Sequence, residues 1–83
     1  MTQKTFAADE SNQEQHRDAL LFVTEAFAEA ILAGIESDSF ARAALEAALQ
    51  ELVAIYGEEH VATVAADLPG RIRAGQFTLT ARH

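Results

Sequence analysis

The sequence predicts an all-α fold: a small bundle of three main helices followed by one short helical turn, with flexible ends. Three observations carry this. Apolar residues recur at spacings of three and four through most of the chain, the period of a helix with one buried side. Alanine, leucine and glutamate, all strong helix formers, fill the two longest such stretches. Gly34, Gly57 and Gly75 each stand just past the end of a periodic stretch, where a helix C-terminus wants a residue that tolerates positive φ.

Residues 1–10 read as a loose N-terminal arm with Phe6 as its one large anchor. "SNQE" at 11–14 fits a capping box, in which Ser11 and Glu14 satisfy each other's backbone amides. The first helix is therefore expected from about Asn12 to Ala33, closed by Gly34. "IESDSF" is a short connector, and Ser37, Asp38 and Ser39 are all competent to cap the second helix. That helix is expected over 39–56 and the third over 58–67, where Glu58 and Glu59 suit the positive end of the helix dipole. "LPGR" at 68–71 predicts a break, since proline followed by glycine suits the centre of a type II turn. A last helical turn is expected over 71–74. "QFTLTARH" at 76–83 then reads as a C-terminal arm with a weak alternation of apolar and polar residues. Residues 11–75 make up the expected single helical domain.

Length and composition set limits. A chain of 83 residues hides only somewhat over ~60% of the surface that its unfolded form exposes. Small chains compensate with disulfides, metals or oligomerisation. With no cysteine, disulfides and thiolate zinc sites are excluded. The longest apolar segment, 19–35, is interrupted by Glu25 and Glu29 and falls short of the ~20 clean residues of a membrane span. "MTQKTFAADESNQEQ" has no apolar core of a secretory signal. A cytoplasmic protein without membrane association is the expectation.

Charge is uneven. The net charge is −7. Residues 19–68 hold Arg42 against nine acids, and residues 69–83 hold Arg71, Arg73 and Arg82 with no acid. Such a body repels phosphates, so no nucleic acid is expected as a partner. "LVAIYGEEHVATVAADL" has a helix–turn–helix spacing, yet its would-be recognition helix opens on two glutamates, so a DNA-binding reading ranks low.

The first helix is the informative element. Successive residues turn by ~100°. Leu20, Val23, Phe27 and Ile31 share one side, the expected core face. Leu21, Leu32 and Ile35 fall on an adjacent side, and Phe22, Ala26 and Ala33 on the opposite flank. Glu14, Asp18, Glu25, Glu29 and Glu36 fall in one narrow stripe. This apolar arc far exceeds the ~100° of an ordinary surface helix. The surplus predicts a homodimer whose interface includes Leu21, Phe22, Leu32 and Ala33. On the second helix Leu45, Leu49, Leu52 and Tyr56 define the expected core face. On the third, Val61, Val64, Ala65 and Leu68 face inward and His60, Thr63 and Asp67 outward.

The residues offer no catalytic constellation. The serines lie at caps or connectors, where structure explains them. The glycines mark helix ends or turns and form no phosphate-binding loop. Neither His16 nor His60 has the glutamate three residues earlier that a helical di-metal site uses. Glu25 and Glu29, one turn apart, could bridge a cation, but one such pair carries little specificity. A non-enzymatic interaction module, structural or regulatory, with no cofactor and no metal, is the leading expectation. The alternative is an acidic regulator whose stripe of Asp18, Glu25, Glu29 and Glu36 docks a basic or amphipathic protein. A carboxylate metal protein ranks below both.

Overall fold

The structure, a computed structural model, describes the backbone of residues 2–79 and the side chains of residues 11–79. The chain is all-α, with helices α1 (Thr2–Leu32), α2 (Ser37–Tyr56), α3 (Glu58–Ala65) and α4 (Leu68–Arg73). It divides into two compact units, Met1–Ala43 and Ala44–His83. Residues 80–83, the end of the expected C-terminal arm, lie outside the described residues.

In the first unit, α1 begins ten residues before the expected Asn12. Residues 2–10 contain neither glycine nor proline, so no residue there stops the helix. Ser11 is consequently an interior residue and caps nothing. The C-terminal end falls where the sequence put it. Gly34, at φ 91°, donates to the carbonyl of Ile31 at 3.0 Å, and Ile35 donates to that of Ala30 at 2.9 Å. These are the paired bonds of a Schellman motif, which satisfies carbonyls that the helix itself cannot.

Helix α2 starts at Ser37, so Ser37, Asp38 and Ser39 all lie within its first turn. The carbonyl of Glu36 receives the first helical bond, from the Phe40 amide at 3.0 Å. Asp38 pairs with Arg42 at 3.2 Å, one turn on and largely in solvent. The ring of Phe40 meets that of Phe27 edge to face, with centroids 4.7 Å apart. This contact ties the start of α2 to α1. Ala30 of α1 is buried, at 6% exposure.

The second unit holds the rest of α2. Gly57 accepts a conformation of φ 90°, ψ 160° that is open essentially to glycine alone, and so separates α2 from α3 in one residue. Val61 is buried at 9%. Leu49, Val53, Ala65 and Leu68 are half-buried, whereas Val64, expected inside, is exposed.

Helix α3 ends at Ala65, two residues early. The expected type II turn at "LPGR" is absent, because Leu68–Arg73 is helical. Proline fits the first turn of a helix, where its missing N–H would have had no partner. Pro69 therefore starts α4 instead of interrupting it. Gly75, at φ 84°, closes α4 with a second Schellman pair: Gly75 to Ile72 at 3.0 Å and Gln76 to Arg71 at 3.1 Å. No strand occurs among the described residues, and the alternation after Gly75 gives a turn at 76–77.

Candidate functional site

The expected core face of α1 is open. Leu20 is 50% exposed, Val23 48% and Ile31 55%. Only Phe27 on that side is half-buried, through its contact with Phe40. On α2 the same holds for Leu45, Leu52 and Tyr56, which are exposed, while Leu49 is half-buried. Among the described residues Ala30 and Val61 are the buried apolar ones, and fifteen large apolar side chains are exposed. Most of the apolar side chains on the faces that periodicity identified are exposed.

The open arc on α1 is continuous. It runs from Val23 through Leu20 and Ile31 to the exposed Leu21 and Leu32, as the 100° step requires. The one polar side chain within it is Thr24, whose hydroxyl donates to the carbonyl of Leu20 at 2.8 Å. A hydroxyl satisfied within its own helix adds little cost when a partner covers it.

The residues expected at the interface do not form one patch. Leu21 and Leu32 border the arc on one side of the acidic stripe. Phe22 lies beyond the stripe, 75% exposed, and Ala33 lies in the exposed turn that follows α1. Of the stripe itself, Glu14, Asp18, Glu25 and Glu29 are on α1 and exposed. Glu36 is in the connector, so the stripe ends a turn sooner than the wheel suggests.

Phe22 instead belongs to a groove within the first unit. It is lined by Phe22, Ala26 and Ala30 of α1, by Ile35 and Phe40, and by the carboxylates of Glu25 and Glu29. It is a wide, open depression of about 500 Å³. Two features shape it. The alanines leave a trough, and the Schellman turn carries Ile35 and the start of α2 back over α1. Helical periodicity signals Phe22, Ala26 and the two glutamates. It says nothing of Ile35 and Phe40, which come from outside the helix.

In the second unit a smaller cleft of about 100 Å³ lies among Leu52, Tyr56, His60, Val61 and Val64. The His60 ring tilts against that of Tyr56, with centroids 5.2 Å apart. His60 and Asp67 do not share a helix, because α3 stops at Ala65. Among the described residues there is no group of three or more acidic or histidine side chains placed to hold a metal ion, and no helix is long and apolar enough to cross a membrane.

No protein-family model, curated protein or solved structure matches this chain.

Proposed function

We propose that this chain is a non-enzymatic helical interaction module that acts as a homodimer, with α1 at the centre of the interface. The observation that supports this most directly is the uncovered arc of Val23, Leu20, Ile31, Leu21 and Leu32 on a 31-residue helix. Taking such a side chain from full exposure to full burial gives ~1.5–3 kcal/mol, and these residues, about half exposed or more, have roughly half of that or more still to gain. Leaving the whole arc wet forfeits most of what could stabilise so short a chain. Contiguous apolar surface of this kind marks an interaction site. A two-fold axis lets one self-complementary patch cover itself. The charges agree: the arc carries no ionised side chain, and the acidic stripe runs along its edge, where water can reach it.

Light scattering over a wide dilution range tests the proposal. A mass twice the 9.0 kDa of one chain is expected, falling to one chain in the variant Leu20→Glu/Ile31→Glu. A wild-type mass of one chain at every concentration would overturn it without reference to any variant.

A further inference from the structure

The groove beside the interface asks for a different kind of occupant from the arc. Five apolar side chains line it together with the carboxylates of Glu25 and Glu29. Two copies of this groove cannot face each other, because that would press four carboxylates together where water is thinned. Whatever fills it must bring apolar side chains and positive charge together.

One stretch of the chain has that chemistry. Residues 69–83 carry three arginines and no acid, whereas acids outnumber bases in the rest of the chain. Within this stretch, Ile72 and Phe77 are exposed. Arg71 holds the segment in shape: its Nε donates to Oε1 of Gln76 at 2.8 Å, and its guanidinium lies 4.9 Å from the centre of the Phe77 ring. The Schellman turn at Gly75 fixes the backbone between them. The outcome is a preordered turn that leaves Ile72 and Phe77 exposed, which reduces the entropy lost on docking. Arg73 extends from the same turn of helix and has no ion pair or side-chain hydrogen bond among the described residues.

We propose that the groove of each chain receives the α4 segment, residues 71–77, of a second copy. Ile72 and Phe77 fill the trough, and Arg73 meets Glu25 and Glu29. The inference rests on the homodimer proposed above and names a second contact within it. Under two-fold symmetry one exchange fills both grooves. It also gives a role to the split of charge along the chain: the acidic helix of one copy recognises the basic end of the other.

The test is a charge swap in the full-length chain. One variant carries Glu25→Arg and Glu29→Arg; the other carries Arg73→Glu. In either homodimer the groove and the incoming segment repel. In the mixed dimer both contacts are attractive. One variant is isotopically labelled, the two are mixed and re-equilibrated, and native mass spectrometry counts the species. The proposal expects the mixed dimer in about tenfold excess over the statistical proportion of two mixed to one of each homodimer. A statistical mixture overturns it and leaves the α1 dimer standing. A monomeric wild type removes the dimer itself.

Should a reversed variant fail to fold, Glu25→Gln/Glu29→Gln gives the answer by sign. Removing two negative charges from an acidic chain lessens self-repulsion and tightens a dimer whose groove is empty. If the groove holds Arg73, the same change weakens the dimer, by about tenfold in dissociation constant. An unchanged or tighter dimer overturns the proposal.

Discussion

Phe27 and Phe40 meet edge to face, with ring centroids 4.7 Å apart and planes 80° apart. They join α1 to the first turn of α2 across the connector, and Phe40 also walls the groove. Edge-to-face pairs contribute ~0.5–1.5 kcal/mol beyond their buried area. Both rings are only half-buried, so the cost of Phe40→Ala falls below the 3–5 kcal/mol typical of a core phenylalanine and is expected near ~2 kcal/mol. Urea unfolding of the two single variants and the double variant measures this. A coupling of about 1 kcal/mol between the sites is expected; additive single effects would show that the rings do not act as a pair.

The glycines make a prediction with two signs. At Gly34 and Gly57 an added Cβ meets no atom within 4 Å, so alanine there costs only backbone strain. Gly34, at φ 91°, should lose ~1–2 kcal/mol on Gly34→Ala. Gly57, at φ 90° and ψ 160°, lies in a region essentially closed to other residues, and Gly57→Ala should cost more, up to ~3 kcal/mol. Gly70 lies within α4 with no positive φ and open space around it. Gly70→Ala should therefore stabilise, by about 0.5–1 kcal/mol. The order of the three midpoints in chemical denaturation checks the argument.

These positions also show what was legible in the sequence and why. Gly34, Gly57 and Gly75 could be assigned as helix ends because positive φ is a local demand that one residue type meets. The start of α1 could not be read from Ser11 and Glu14, because a capping pattern acts only where the preceding residues are not helical. Pro69 is ambiguous for a similar reason: the first turn of a helix and a tight turn both accept it. At the candidate site the periodicity identified the side of α1 that carries Leu20, Val23 and Ile31. It could not say what covers that side, since covering is a matter of contacts distant in sequence. The groove was half legible: Phe22, Glu25 and Glu29 share a helix, while Ile35 and Phe40 join them only after the chain turns.

The Asp38–Arg42 pair, although well formed at 3.2 Å, should contribute little. Its side chains are 74% and 80% exposed, and exposed pairs of this spacing contribute ~0.3–0.5 kcal/mol. The two residues are nonetheless unequal. Asp38 lies in the first turn of α2, where a negative charge also favours the helix dipole. Asp38→Ala is thus expected to lower stability more than Arg42→Ala, and the difference should shrink in about 1 M salt, where the Debye length is only ~3 Å. Equal losses would mean that the dipole contributes negligibly at this site.

The dimer predicts that stability depends on protein concentration. When folding and association are one process, a hundredfold rise in concentration adds RT ln 100, about 2.7 kcal/mol. For a cooperative unit of two such chains that corresponds to a rise of roughly 5–10 °C in melting temperature. A protein that folds as a monomer shows none, because both sides of its equilibrium have one molecule. Calorimetry at two concentrations reads this directly. The variant Leu20→Ser/Ile31→Ser adds a second check. It removes apolar area from the arc on α1 without introducing a charge, and both positions are about half exposed in the single chain. If those positions were important only within one chain, the variant would melt slightly lower with no change in concentration dependence. In the dimer they are covered by the partner, so the variant should melt well below the wild type at every shared concentration, and should lose the concentration dependence if the dimer no longer forms.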